Sequence, residues 1–183
     1  MEQIINELTI PYNTIGKNPY DGVTIDFEGL RRDSTVTFDQ FLTELSGRVH
    51  YLGKTLYVCV SPTLTTGSYY DGYDLAKIAA LADKVILMAH DYQWPSVPES
   101  YVGTTNTYSP VTPFDSVYEA LRDLTDPDTG VADRSKLALA ISFGTAGFRV
   151  DENGVLLETT IYHPAMSTLA ARLNQSDTVV TYD

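Results

Sequence analysis

Four apolar, β-branched runs bounded by turn residues constrain this chain more than anything else in it: Gly22 to Phe27, Leu56 to Val60, Val85 to Met88 and Leu137 to Ile141. Such runs read as strands. Helical stripes lie between them. Phe38, Phe41, Leu42, Leu45 and Val49 recur on one face, with Gly53 as a stop. Leu75, Ile78 and Leu81 form a second stripe, and Val117, Leu121 and Leu124 a third behind an Asp115 cap. Strand and helix in strict alternation predict parallel strands joined by crossover helices. The strand ends near Glu28, Ser61 and His90 fall roughly 30 residues apart, the unit length of an eight-unit barrel of about 250 residues. The next step, to Ser142, is longer, because it takes in a Tyr/Thr/Ser/Pro-rich loop from Trp94 to Pro113. Long loops at that end of a strand carry binding function.

After Phe148 the rhythm breaks. Val155 to Leu157 and Thr159 to Tyr162 look like a hairpin, Met166, Leu169 and Leu173 are helically spaced, and Thr178 to Tyr182 is another β run. The expected organisation is therefore an α/β chain with a partial (β/α)8 TIM barrel over 1–150 and the start of a small α+β insertion over 151–183. Twelve basic against 24 acidic residues give a net charge of −12, which argues against nucleic acid and anionic membrane as partners. At 43% hydrophobic residues the chain can bury a substantial core. The first ten residues lack the basic start and apolar run of a signal peptide, and no stretch approaches the ~18 apolar residues of a spanning helix. The lone cysteine, Cys59, sits in an apolar run and reads as a buried structural residue. His50 and His163 read as structural or exposed, no His/Asp/Glu set has metal-ligand spacing, and no cofactor is expected.

The informative segment is Tyr20-Asp-Gly-Val-Thr-Ile-Asp-Phe-Glu-Gly29. Along a strand Val23, Ile25 and Phe27 share one face, and Thr24, Asp26 and Glu28 the other. A parallel strand buried on both sides should be apolar on both. Here one face ends in two carboxyls at the C-terminal end of the strand, where a barrel places catalysis. Two acids that close disfavour joint ionisation, so one is expected to keep a proton near neutrality, as a general acid must. The same spacing also suits two acids that merely cap the strand or bind a basic neighbour.

The segment resembles the D-x-x-D-x-D-x-E signature of glycoside hydrolase family 18, the chitinase family. Asp21, Asp26 and Glu28 fall on its first, third and fourth acidic positions, and Thr24 on the second, where most members have Asp. Further resemblances follow in order: Leu56 to Pro62 to the next strand, Val85-Ile-Leu-Met-Ala-His-Asp-Tyr92 to the M-x-Y-D strand, and Lys136-Leu-Ala-Leu-Ala-Ile-Ser-Phe143 to the K-[IL]-x-L-G-[IVL]-P-F strand. The resemblance implies the fourth to seventh βα units of the barrel, with the first three strands and the eighth absent. Three preceding units would put Glu28 after roughly 95 residues.

The family's substrate-assisted chemistry, an exception among retaining glycosidases, implies roles by position. Glu28 would protonate the glycosidic oxygen and later activate water, and Asp26 would orient the substrate's acetamido group. Asp21, Thr24, Met88, His90, Asp91, Tyr92 and Trp94 would line the substrate site, His90 standing where the family has Tyr. Trp94 and the tyrosines Tyr69, Tyr70, Tyr73, Tyr92, Tyr101 and Tyr108 offer rings for stacking on sugars. Thr24, Ala140 and Gly144 depart from the family pattern. The implied partner is a polysaccharide containing N-acetylglucosamine, of chitin or peptidoglycan type, with a spore-cortex or peptidoglycan leaning and an extracellular, cell-wall or spore location. A non-catalytic, lectin-like relative and an inactive fragment are the alternatives. Open edges on a four-strand sheet predict self-association.

Overall fold

The computed structural model describes residues 1–11, 20–62, 71–90, 92–107 and 109–180. In chain order the elements are α1 (Glu2–Thr9), β1 (Gly22–Ile25), α2 (Thr35–Tyr51), β2 (Thr55–Val60), α3 (Leu75–Leu81), β3 (Lys84–Met88), α4 (Phe114–Leu124), β4 (Leu137–Ala140) and α5 (Met166–Leu173). All four predicted strands form, and they lie in one parallel sheet in the order β1-β2-β3-β4. Among the described residues no strand pairs with the outer edge of β1 or of β4, and no helix is long and apolar enough to cross a membrane.

Residues 1–89 and 114–141 form one compact unit. Its register puts Ile25 beside Val58, Val58 beside Val85 and Val85 beside Leu137. Residues opposite one another in a parallel sheet face the same side, so this row, with Leu56, Val60 and Leu87, makes an apolar face. Leu42, Leu45 and Val49 of α2 and Ile78 of α3 are buried with it. Each such side chain contributes about 1.5–3 kcal/mol on leaving water. The predicted stripe thus holds α2 to the sheet, and Gly53 at φ +68° takes the left-handed position just past its end. Asp74 caps α3 by accepting from the Lys77 amide at 2.9 Å. Asp115 is not the cap of α4: the helix starts at Phe114, and Asp115 lies inside its first turn, beside the positive end of the helix dipole. The sequence reading also missed α1, an eight-residue helix that buries only Leu8.

At the N-terminal end of the sheet a hydrogen-bonded run joins α2 to the start of β3. Ser46 Oγ donates to the Leu81 carbonyl (2.8 Å) and lies 3.3 Å from His50 Nδ1, while His50 Nε2 is 2.9 Å from Asp83 Oδ2. The same Asp83 oxygen accepts the Leu56 amide at 2.8 Å. The order Ser, His, Asp is that of a nucleophilic triad, but here the serine is buried and its proton is committed to a carbonyl, so the run is a fastener. Burial pushes the Asp83 carboxyl up; the Leu56 amide and His50 outweigh it and hold the carboxyl below its usual value. A lowered folded pKa stabilises above the unfolded value of about 3.9 and fades as pH falls through the folded one. Asp83→Ala should therefore lose about 1 kcal/mol at pH 7, the pair being partly exposed. In urea unfolding the gap to wild type should narrow below pH 4. A gap constant from pH 7 to pH 3 would assign the effect to packing instead.

Residues 90–113 and 142–183 form the second unit. The expected division falls near residue 150; in the structure the long loop packs with the C-terminal segment. The physical reason is packing: Val97, Leu156 and Ile161 are buried together, with Trp94, Tyr101, Ala146 and Phe148 against them. The expected hairpin of 155–157 with 159–162 is corrected. Leu156 bridges Val150 and Tyr162 bridges Gly147, both antiparallel, so each predicted arm pairs with the preceding segment. Asp151 holds the intervening turn, its carboxylate accepting the amides of Asn153 (2.8 Å) and Val155 (3.0 Å). Helix α5 matches the Met166, Leu169, Leu173 spacing. Residues 178–180 of the last predicted β run are not in a strand, and 181–183 lie outside the described residues.

Candidate active site

The β1 ladder ends at Ile25, paired with Val58. The alternation of side chains continues past it. Ile25 is buried, and the Phe27 ring rests against Phe38 and Phe41 of α2, with centroids 5.9 and 5.4 Å away. Asp26 and Glu28 therefore point to the opposite face, where both are exposed. Ile25 anchors the segment in the core and Phe27, itself partly exposed, leans on α2; the acidic half is presented at the C-terminal end of the strand.

Counting the register onward from Ile25 and Val58 brings Cys59 level with Asp26 and Ser61 level with Glu28. The electrostatics agree. Burial pushes the Cys59 thiol up, and the carboxylates of Asp26 and Glu28 push it further. Cys59 is buried, as expected, but it lies beneath the acid pair. Met88, which pairs with Ala140, ends the third strand on the same face two residues beyond Ile86, the partner of Cys59. This face carries Thr24, Asp26, Glu28, Cys59, Ser61, Ile86 and Met88: polar on β1, sulfur-lined and apolar toward β3.

The segment 71–73 is sewn to 27–32 at three points. The Gly72 amide donates to the Leu30 carbonyl (3.1 Å), the Arg32 amide donates to Asp71 Oδ1 (3.0 Å), and the Tyr73 hydroxyl donates to the Phe27 carbonyl (2.8 Å). Arg31 and Arg32 add ion pairs to the same Asp71 at 3.8 and 3.6 Å. Burial pushes the Tyr73 phenol up, hydrogen bonds with Ser61 oppose it, and the charges of Asp26 and Glu28 add to the rise. Sequence reasoning placed Tyr73 only among loop rings, gave Ser61 only as a strand end and did not single out Gly72. The register would have found Ser61; Asp71-Gly72 before a helix cap was the signal for the turn.

The other expected site residues are distributed differently. Asp21 lies at the N-terminal end of β1, its carbonyl accepting the Thr55 amide at 3.0 Å, so a five-residue rise of roughly 16 Å separates it from Asp26. His90, Tyr92 and Trp94 belong to the second unit. His90 is half-buried there. The Tyr92 amide donates to the Val111 carbonyl at 3.2 Å, its hydroxyl is buried without a hydrogen-bond partner, and burial pushes the phenol up. The Trp94 amide donates to Ser109 Oγ at 2.8 Å, and its ring packs on Tyr101 at 5.3 Å. Trp94 is thus part of that unit's core packing. His163 Nδ1 lies 3.1 Å from the Thr145 carbonyl, and His163 lines a cleft of about 390 Å³ with Gln93, Ser142, Phe143 and Thr145. Asp91, Tyr69, Tyr70 and Tyr108 lie outside the described residues. Among the described residues no group of three His, Cys, Asp or Glu side chains is placed to hold a metal.

Comparison with known proteins gives one family. The chain matches the family model of glycosyl hydrolases family 18 over residues 3–182. It is 32% identical over 83 residues to the sporulation-specific glycosylase YdhD of Bacillus subtilis, an alignment covering 44% of this chain and 20% of YdhD. The crystal structure of YdhD superposes with a TM-score of 0.61 at 19% identity, covering 94% of this chain and 55% of that one. A chitinase from Chromobacterium violaceum gives 0.61 at 21% identity, over 85% and 44% of the two chains. The spore cortex-lytic enzyme SleL of Bacillus megaterium gives 0.59 at 19%, over 85% and 33%. The chain therefore spans at most about half the length of these relatives, and at such identities the superpositions speak for the fold.

Proposed function

Because the chain belongs to glycosyl hydrolase family 18, a TIM-barrel family, we propose that it serves the cleavage of β-linked N-acetylglucosamine glycans, with Glu28 as general acid and base and Asp26 as its partner. The observation that carries this reading is the acid pair itself: two exposed carboxyls just past the end of β1, on the face turned away from the helices. Nothing in the packing of this unit requires acids there.

The chemistry follows from the positions. Glu28 gives its proton to the glycosidic oxygen as the bond to the anomeric carbon breaks. The carbonyl oxygen of the substrate's own 2-acetamido group closes on that carbon, and Asp26 accepts the acetamido N–H, orienting the group and supporting the positive charge of the oxazolinium ion. Glu28, now a carboxylate, takes a proton from water as the water opens the ring. Two inversions leave the β configuration. Met88 and Cys59 give the floor of this face beside the acids an apolar surface. YdhD and SleL are named for sporulation and spore cortex, and another relative for chitin; those names support a peptidoglycan or chitin-type substrate and a place of action at the cell wall or spore.

The test is the anomer released. Proton NMR of the chain acting on N-acetylglucosamine oligomers and on purified peptidoglycan should show the β-anomer first. The α-anomer first would remove the substrate-assisted route, and binding without turnover would favour the lectin-like alternative.

A further inference from the structure

We propose that Tyr73 is the positioning residue of the acid pair: by holding the Phe27 carbonyl, it fixes the Phe27–Glu28 peptide and hence the aim of Glu28 relative to Asp26. The consequence for catalysis rests on the glycosidase reading above; the geometry does not.

The need for such a residue arises where the ladder stops. Up to Ile25 each carbonyl of β1 can be served by β2, but Phe27 lies two residues past the last pair, so its carbonyl has no ladder partner. The Tyr73 hydroxyl supplies that partner at 2.8 Å. The Phe27 carbonyl belongs to the peptide that sets ψ of Phe27 and φ of Glu28, so fixing its direction fixes the Cα–Cβ vector of Glu28 relative to that of Asp26. The phenol is held from three sides. Its ring meets Phe38 edge-on, with centroids 6.2 Å apart at 73°. Ser61, at the end of β2, shares hydrogen bonds with it. Behind it, Asp71 and Gly72 are bonded to the backbone of Arg32 and Leu30. Tyr73 thus ties the ends of two neighbouring strands together at the level of the acids. The pair stays open to substrate because its support comes from the peptide and not from the carboxyl oxygens.

Tyr73→Phe keeps the ring and removes only the hydroxyl. In the full chain, the Phe27 carbonyl carbon and the Glu28 amide nitrogen should change shift by NMR. The Glu28 amide order parameter should fall from about 0.85 toward 0.6, and the side-chain rotamers of Asp26 and Glu28 should mix. Turnover of N-acetylglucosamine oligomers should drop about 10–100-fold in kcat with KM unchanged, since misplacement affects the transition state more than binding. Unchanged order and rotamers at Asp26 and Glu28 overturn the proposal whatever the rates do, and so does altered order with an unaltered kcat. If the wild-type chain does not hydrolyse these glycans, the glycosidase reading of this chain fails, and the NMR arm alone decides the positioning role. A second measurement covers a variant that fails to fold: in wild type, the Tyr73 hydroxyl proton should exchange slowly and show a nuclear Overhauser contact to Phe27, and its absence counts against the proposal.

Discussion

Glu28→Gln is expected to lower glycan turnover by about 10²–10⁴-fold, the usual contribution of a positioned general acid and base, while binding survives. The amide has the shape of the acid but no proton acidic enough to give to a leaving alkoxide, and none of its atoms can take one from water. Glu28 is exposed, so its replacement leaves no buried charge unpaired, and stability should change by no more than about 0.5 kcal/mol. The two readouts are initial rates on N-acetylglucosamine oligomers and calorimetric titration with the same oligomers. Unchanged turnover would move the acid to another residue; lost binding would mean that Glu28 holds substrate in the ground state and would weaken the assignment.

Gly72→Ala is expected to destabilise the first unit by about 3 kcal/mol, toward the upper end of overpacking effects. A β-carbon at this position would come within 2.6 Å of the Leu30 carbonyl carbon and the Arg31 carbonyl oxygen, and 2.7 Å of the Leu30 oxygen. All three are backbone atoms, so no rotamer change can make room. The two segments would have to part, breaking the bond from the Gly72 amide to Leu30. Gly47 is the internal control. It lies in α2 with nothing near its would-be β-carbon, so Gly47→Ala should stabilise by about 0.5–1 kcal/mol through helix propensity alone. Urea unfolding of the two variants should therefore move in opposite directions. A loss below about 0.5 kcal/mol for Gly72→Ala would mean that the turn shifts at little expense.

Strand positions and the main helix were legible in the sequence because period-2 and period-3.6 patterns are local. The Phe38 to Val49 stripe is α2 to within its ends, and Val58, Val85 and Leu87 are core. Both faces of the Asp26–Glu28 segment could be assigned for the same reason, since alternation puts Phe27 on the side of Phe38 and Phe41. What the sequence hid was set by contacts far apart along the chain. Nothing near Trp94 announces Leu156 and Ile161, so the packing of the loop with the C-terminal segment was not legible. The arms at 155–157 and 159–162 have the right β character, but alternation does not name a partner, and bridges to Val150 and Gly147 outcompete the local hairpin. Asp21, the first acid of the motif, lies at the far end of the strand by a five-residue rise.

The second unit is written in two instalments, residues 90–113 and 142–183, with α4 and β4 between them. Chains are synthesised from the N-terminus at about 5–20 residues per second. The β1 to β3 layer can therefore pair as it is made, strand next to strand, whereas Trp94, Val97 and Tyr101 emerge before Leu156 and Ile161 exist to cover them. For several seconds of each molecule's synthesis, at that pace, the loop waits without its packing partners while the strands before it are already complete.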